Sequence, residues 1–181
     1  MNKVVADSSF YICFLDDIKK PQYLIRLTDY FEFVLGKIID EELRRSPNYS
    51  YIKNIMRKKF FYFKYGNYEE ILRPFFSMEE IQKGEHEAIA ISIILVRLEL
   101  LEIFLIIDEN SARNFIKKNF QDIYPMVKYT VQFIVECYFN HNIFKKDEII
   151  EILTLIKTSK FRINKNLIDS LLKKLERGRR K

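Results

Sequence analysis

Residues 3–9 read KVVADSS, a short apolar run that ends in an acidic residue and two serines. Two β-branched valines precede Asp7, which predicts a short buried strand over Lys3–Ala6. Ser8 and Ser9 follow at once, and such residues are typical of a helix start. A strand that ends in an acidic residue and opens directly into a helix indicates an α/β protein.

The same arrangement recurs further along the chain. A second strand is predicted at Phe31–Leu35, and it turns into a helix that carries Glu42. A continuous apolar run at Ile103–Ile107 predicts another buried strand, which ends in the pair Asp108 and Glu109. Because strands alternate with helices, we predict a mostly parallel central sheet flanked by helices, with ligands bound outside the carboxyl ends of the strands.

The rest of the chain is predicted to be mainly helical, including its C-terminus. Residues 46–82 are broken by proline and glycine and are rich in basic and aromatic residues, so we predict an inserted helical arm there. The other predicted elements are helices at Glu85–Leu98, Ser111–Lys118, Val131–Phe139, Lys146–Thr158 and Asn164–Glu176, and a strand around Tyr124–Val127.

The composition suits one folded domain over residues 1–181, with 48% hydrophobic residues. The net charge of +6 favours a polyanionic partner, although a basic surface that only keeps the protein soluble explains it equally well. Cys13 and Cys137 are far apart, which favours a reducing cytoplasm, and Cys13 is expected to be a buried structural thiol. The apolar stretches are too short to cross a membrane.

The acidic residues point to a site at one edge of the sheet. Asp7 and Asp108 both follow predicted strands, and the carboxyl ends of parallel strands meet at the same edge. Glu42 and Glu87, near the starts of helices, can reach the same place. An oxygen-only site suits Mg²⁺ or Mn²⁺, which offset the mutual repulsion of carboxylates. The alternative is that each acid is a helix cap or lies in a solvated turn.

Several segments occur in the order in which PIN-domain proteins carry them. The chain resembles most closely a prokaryotic PIN branch related to VapC toxins, and the resemblance covers nearly the whole chain outside residues 46–82. The matching segments are VVADSS at residues 4–9, DEEL at 40–43, KGEHEAIAIS at 83–92, LIIDENSAR at 105–113 and SKFRINKNLIDSLLKKLE at 159–176.

The resemblance implies a metal-dependent endoribonuclease that hydrolyses RNA phosphodiester bonds. It implies that Asp7, Glu42 and Glu87 are catalytic metal ligands for Mg²⁺ or Mn²⁺. The family commonly has Asp-Asp where this chain has Asp108 and Glu109, so either residue of this pair, or both, completes the set. Two ions at such a site activate a water molecule and offset charge on the phosphoryl oxygens.

Partners are also implied by the resemblance. We expect RNA as the substrate, an antitoxin protein as a partner, and a homodimer. Ser8 and Arg113 are the predicted substrate-binding residues. Arg113 could instead fix the acids by a charge-assisted bond, and a surface role for it is equally consistent with the sequence. Glu41 and Glu85 are neighbours of the favoured acids and are expected to be exposed.

Other readings stay open. The basic and aromatic part of the arm is typical of a core or a protein interface, and also of RNA contact. The basic C-terminal end of the chain favours either its own helix terminus or RNA. The alternative function is a non-catalytic PIN-like module that binds RNA or protein, and a third is a structure-selective DNA nuclease.

Overall fold

The centre of the fold is a parallel β-sheet. The computed structural model describes residues 2–64, 70, 72, 83–97 and 102–177. Within these residues the sheet has five strands in the order β3-β2-β1-β4-β5, and each neighbouring pair is parallel. The strands are β1 Lys3–Ala6, β2 Glu32–Leu35, β3 Phe61–Tyr62, β4 Ile103–Ile106 and β5 Val127–Lys128.

Helices flank this sheet, which confirms the predicted α/β class. The described helices at the C-terminus begin and end within a residue of their predicted bounds. None of the described helices is long and apolar enough to span a membrane. The helices are α1 Ser8–Ile12, α2 Pro21–Leu27, α3 Lys37–Leu43, α4 Ser50–Lys59, α5 Lys83–Arg97, α6 Asn110–Asn119, α7 Thr130–Phe139, α8 Lys146–Thr158 and α9 Lys165–Glu176, with a π-helical turn at Cys13–Asp17 and a 3₁₀ turn at Tyr124–Met126.

The strand order places a switch point beside β1. From β1 the chain runs outward to β2 and β3, and it then returns to add β4 and β5 on the other side. Val4 of β1 is therefore paired with Phe33 on one side and with Phe104 on the other. A reversal of this kind leaves a crevice outside the carboxyl ends of the two strands that flank it. Here these strands are β1 and β4, which lead into Asp7 and Asp108.

The core that holds this edge in place is apolar and rich in aromatic rings. Phe10 of α1 lies 5.8 Å from Phe33 of β2 and 6.0 Å from Phe133 of α7, measured between ring centroids. Each such fully buried side chain contributes about 1.5 to 3 kcal/mol to stability. Cys13 and Cys137 are free thiols buried in this core, and burial raises the pKa of Cys13. The prediction that Cys13 is buried is confirmed.

The predicted arm is helical in its first part, over α4, and then contributes to the sheet. Residues Phe61–Tyr62 form the short edge strand β3, which was not predicted. Beyond it, the backbone N–H of Phe63 donates to the carbonyl oxygen of Leu35 at 2.9 Å, and this bond attaches the segment to the end of β2. Most of residues 65–82 and the basic tail after Arg177 lie outside the described residues.

Candidate active site

Asp7 is held at the junction of β1 and α1. Its backbone N–H donates to the carbonyl oxygen of Ile106 at 3.2 Å, which ties the end of β1 to β4. Its Oδ1 atom accepts hydrogen bonds from the Ser9 hydroxyl at 2.6 Å and from the Phe10 N–H at 3.3 Å, so Asp7 is the N-cap of α1. The residue is buried, with 2% of its surface exposed. The local sequence therefore fixes one carboxylate at the crevice.

Asp108 occupies the equivalent place after β4. Its Oδ1 atom accepts from the N–H of Thr130 at 2.8 Å, and its Oδ2 atom accepts from the Thr130 hydroxyl at 2.5 Å. Thr130 is fully buried and begins α7. Sequence reasoning missed this residue, and the only available signal was that threonine is common at a helix start.

The two aspartates are electrostatic neighbours. Burial raises the pKa of Asp7 well above its usual range, and the negative charge of Asp108 raises it further. Burial also raises the pKa of Asp108, to about 6, although the hydrogen bonds from Thr130 and the charge of Arg113 act in the opposite direction. Neighbouring buried carboxylates are unfavourable when both are ionised, and a divalent cation removes that penalty.

Glu85 joins these aspartates, against the expectation that it is exposed. It is only 8% exposed, and its charge contributes to the raised pKa of Asp7. Burial raises the pKa of Glu85 itself, and the charges of Glu42 and Glu109 raise it further. The expectation of exposure was wrong because the first half of α5, residues 84–92, is buried on all sides.

Glu42 lies beside the start of α5. A Cβ built on Gly84 would stand 2.7 Å from a carboxylate oxygen of Glu42, so the absence of a side chain at Gly84 makes room for it. Glu42 is half-buried, whereas its neighbour Glu41 is exposed as predicted. The structure thus brings Glu42 within electrostatic reach of Glu85.

Glu87 has a different environment from the other predicted acids. It is fully buried, and its two carboxylate oxygens accept hydrogen bonds from the N–H groups of Ile38 at 2.9 Å and Ile39 at 2.7 Å. These groups belong to the first turn of α3, whose N-cap is Gly36. Glycine has no side chain with which to cap a helix, so Glu87 supplies the acceptor from α5. This contact holds α3 and α5 together.

Glu109 also caps a helix, but at the rim of the site. Its Oε2 atom accepts hydrogen bonds from the N–H and hydroxyl groups of Ser111 and from the N–H of Ala112 at 3.2 Å. It is the N-cap of α6 and is more exposed than Asp108. Of the pair, Asp108 therefore lies at the floor beside Asp7, and Glu109 lies above it.

A pocket of about 460 Å³ opens over Asp7, Glu85, Asp108 and Glu109, and we call it the acidic pocket. One side of it is basic and aromatic. Lys160, Phe161 and Arg162, from the loop between α8 and α9, form this side, which we call the basic lip. The residues that line the pocket are Asp7, Ser8, Ser9, Ile12, Asp17, Glu85, Asp108, Glu109, Asn110, Lys160, Phe161 and Arg162.

The basic lip was missed as part of the site. Lys160 and Arg162 are exposed, and neither forms a salt bridge with any residue that the structure describes. Burial raises the pKa of Asp17, and the charge of Lys160 nearby acts in the opposite direction. Phe161 is half-buried. The sequence signal that could have identified the basic lip is an aromatic residue with a basic residue on each side.

The two predicted substrate-binding residues have different positions. Ser8 lines the acidic pocket and is half-buried. Arg113 lines a separate groove and is 9% exposed. Its guanidinium group donates to the carbonyl oxygen of Ile107 at 3.0 Å and lies 3.6 Å from the ring centroid of Tyr129. Arg113 therefore acts on Asp108 through its charge and holds the backbone after β4.

The donor set matches a hard divalent cation in its chemistry. Asp7 and Asp108 are buried carboxylates held side by side by their own hydrogen bonds, and oxygen ligands are those that Mg²⁺ and Mn²⁺ prefer. Within residues 2–64, 83–97 and 102–177, no group of three acidic, histidine or cysteine side chains stands close enough together to hold an ion. Asp7 and Asp108 fit as two ligands of such an ion.

Comparisons of the chain with protein-family models, with curated proteins and with solved structures found no match. Function is therefore inferred from the chemistry of the site itself.

Proposed function

We propose that this chain is a PIN-family, metal-dependent endoribonuclease whose reaction takes place in the acidic pocket. The observation that carries the proposal is the pairing of Asp7 with Asp108. Two carboxylates from adjacent parallel strands are buried together at the switch point of the sheet, where burial and mutual charge raise the pKa of Asp7. Burial of like charges in a pocket is costly for folding and is typical of functional sites.

Asp7, Asp108 and Glu85 are the proposed metal ligands, with Glu42 beside them. Bound Mg²⁺ or Mn²⁺ supplies Lewis-acid chemistry that polarises a phosphoryl oxygen and makes a water molecule nucleophilic. The protein's own part is to hold the carboxylates. Ser9 orients Asp7 and Thr130 orients Asp108 through hydrogen bonds at 2.6 and 2.5 Å. Asp108 is favoured over Glu109 because Glu109 is engaged with the start of α6.

The basic lip is the proposed contact for the RNA strand. An acidic pocket by itself repels a phosphodiester, and two cations at its edge that form no salt bridge with a described residue offset that repulsion. Lys160 and Arg162 are suited to phosphate oxygens, and the half-buried ring of Phe161 is suited to stacking on a base. Unpaired bases stack in this way more readily than bases in a duplex, so we propose single-stranded RNA regions as substrate.

A finer proposal is that the chain is the toxin of a toxin-antitoxin pair and forms a homodimer. It is supported by the sequence resemblance to the VapC-related branch alone. Growth arrest on expression, relieved by the product of an adjacent small reading frame, tests the first part. Light scattering during size-exclusion chromatography tests the second.

The second candidate function is a non-catalytic PIN-like module that binds RNA or protein. It is favoured by the contacts of Glu87 and Glu109, since both residues cap helices in this structure. It is also favoured by the lack of a group of three acids at metal-binding distance in the part of the chain that the structure describes. In this case the basic lip binds RNA and the acidic residues have no chemistry to perform.

Cleavage assays separate the two candidates. RNA and DNA oligonucleotides are incubated with the wild-type protein, with and without Mg²⁺ or Mn²⁺, beside Asp7→Asn and Asp147→Asn. Asp147 is an exposed residue of α8 and serves as a matched control for the loss of one carboxylate. The proposal expects metal-dependent cleavage of RNA that Asp7→Asn removes and Asp147→Asn keeps. Binding of RNA without cleavage at any metal concentration favours the non-catalytic module, and preferential cleavage of DNA overturns the ribonuclease assignment.

A further inference from the structure

A second cavity lies between β5, α7 and α9, with a volume of about 510 Å³. We call it the basic groove. It is distinct from the acidic pocket, and no residue that lines one is among those that line the other. The charged and aromatic residues that line the groove are Arg113, Tyr124, Lys128, Glu136, Phe139 and Lys174.

Arg113 is the least ordinary of these residues. It is 9% exposed, and among the described residues its guanidinium group donates a hydrogen bond to the carbonyl oxygen of Ile107. A guanidinium group has five N–H donors and stays charged, and buried charges are normally paired. Arg113 forms no salt bridge with any of the described residues, and the charge of Asp108 reaches it only at longer range. It is therefore a buried cation with unused donors at the wall of a cavity.

The other charges of the groove leave it positive. Lys128 and Glu136 neutralise each other, since their charged atoms are 3.3 Å apart. Lys174 lies 5.1 Å from the ring centroid of Phe139 and forms no salt bridge with a described residue. Arg113 and Lys174 thus place two positive charges at the groove that form no salt bridge with a described residue, although the charge of Asp108 also acts on Arg113. The rings of Tyr124 and Phe139 line the same space, and they provide flat apolar surfaces beside the cations.

These features together fit an anion that carries a planar ring. Cations and aromatic faces in one cavity of this size suit a phosphate group joined to a nucleobase. A chain of contacts also connects the groove with the acidic pocket. The hydroxyl of Tyr129, whose ring covers Arg113, donates to the Oδ1 atom of Asn110 at 3.0 Å, and Asn110 lines the acidic pocket. A bound phosphate is therefore placed next to, but outside, the proposed reaction site.

We propose that the basic groove binds a nucleoside monophosphate unit, with its phosphate on Arg113 and Lys174. The unit is either a free nucleotide or one nucleotide of a bound strand, since both present the same chemistry. The inference does not need the chain to cleave RNA, so it stands or falls separately from the proposed function.

Calorimetric titration of the full chain with uridine and adenosine 5′-monophosphates, in EDTA, tests the site. We expect saturable binding that Lys174→Ala weakens about tenfold, because one of two free cations is lost. Glu136→Gln should tighten binding by a few-fold, because it removes the only acidic side chain among the described residues that line the groove. Lys173→Ala is the matched control, since Lys173 is the exposed neighbour on α9 that does not line the groove.

Opposite effects of the Lys174 and Glu136 variants cannot come from a general loss of folding. No saturable binding up to about 10 mM nucleotide, or equal affinity for the Lys174→Ala and Lys173→Ala proteins, overturns the proposal.

A competition experiment then distinguishes the two sources of the nucleotide. A fluorescent single-stranded oligonucleotide is bound to Asp7→Asn protein and titrated with uridine 5′-monophosphate. Displacement that Lys174→Ala weakens supports a strand nucleotide in the groove, and simultaneous binding supports a free nucleotide. Displacement that is unchanged in Lys174→Ala places the nucleotide elsewhere and overturns the proposal.

Discussion

The carboxyl group of Glu87 lies where a side chain at position 36 would have to go. A Cβ built on Gly36 comes within 2.1 Å of Glu87 Cδ. The backbone at Gly36 has an ordinary φ of −91°, so space and not backbone conformation requires glycine there. The same carboxyl group accepts the first N–H groups of α3. Gly36 and Glu87 together set the position of α3 against α5.

Substitution of Gly36 by alanine should therefore destabilise the fold. We expect a loss of about 2 to 4 kcal/mol in the free energy of unfolding, because the methyl group displaces a buried cap and leaves its donors unpaired. Urea denaturation measures this free energy of unfolding. Gly84→Ala is the control, since the nearest atom there is the flexible end of Glu42, and we expect a change within about 1 kcal/mol. Equal losses of stability in both variants would show that the close contact between Gly36 and Glu87 is not what makes the substitution destabilising.

We expect substitution of Glu85 to affect catalysis and substitution of Glu87 to affect stability. Glu85→Gln should lower the rate of RNA cleavage by about a hundredfold or more and keep the stability of the fold, because Glu85 lines the acidic pocket. Glu87→Gln should lower stability by about 1 to 3 kcal/mol, because one backbone donor of α3 loses its acceptor. Its cleavage rate per folded molecule should fall much less. The reverse pattern would make Glu87 the metal ligand that the sequence resemblance implies.

The raised pKa of Asp108 predicts how stability depends on pH in the absence of metal. Its folded-state pKa of about 6 lies above the usual value for an aspartate, so the folded protein loses stability as pH rises through this range and Asp108 ionises. Asp108→Asn removes this cost. We expect the stability of the variant relative to wild type to improve by up to about 3 kcal/mol between pH 4 and pH 8.

Chemical denaturation in EDTA across this pH range measures the difference. Asp122→Asn is a control of opposite sign, because a salt bridge with Arg97 lowers the pKa of Asp122. That pair is exposed, so its effect should be small and should favour wild type as pH rises. A difference in the free energy of unfolding between wild type and Asp108→Asn that does not change with pH would contradict the raised pKa of Asp108.

The basic lip should bind RNA without carrying out chemistry. The double variant Lys160→Ala/Arg162→Ala should weaken RNA affinity about tenfold and leave turnover at saturating RNA nearly unchanged. Phosphate contacts at the edge of the pocket stabilise the bound substrate and the transition state to the same extent. Phe161→Ala should weaken the binding of single strands more than that of duplexes. Fluorescence anisotropy and single-turnover rates measure both.

A matched control is available on the arm. Arg57→Ala/Lys58→Ala also removes two cations, from exposed positions of α4. An equal loss of RNA affinity in this control would show that net charge, or the arm, binds the strand in place of the lip.

Much of this site could be predicted because it is built from local patterns. An apolar run that ends in an acid predicts a buried strand and its carboxyl end, and the geometry of a parallel sheet brings Asp7 and Asp108 together. The helices of the C-terminal half could be predicted for a similar reason, since their apolar spacing is regular. The strand at Phe61–Tyr62 could not, because two residues among aromatic and basic neighbours carry no alternation.

The choice between Glu85 and Glu87 depends on tertiary structure. Both acids lie in the first turns of a helix that is buried all round, so apolar periodicity does not show which one faces the sheet edge. The docking of the loop with Phe161 over the pocket is also a long-range contact between distant parts of the chain. Gly36 was the informative signal that sequence reasoning passed over, because a helix that starts at glycine needs its cap from elsewhere.

The binding of Mn²⁺ tests whether Asp7 and Asp108 form a metal site in the acidic pocket. Mn²⁺ is titrated by calorimetry at pH 7.5 into wild-type, Asp7→Asn and Asp147→Asn proteins. We predict saturable binding to wild type and to Asp147→Asn, and its loss in Asp7→Asn, because Asp7 supplies a buried carboxylate oxygen that asparagine cannot replace with a charge. Equal Mn²⁺ affinity in the folded Asp7→Asn protein, or no Mn²⁺ binding by wild type, would contradict the account.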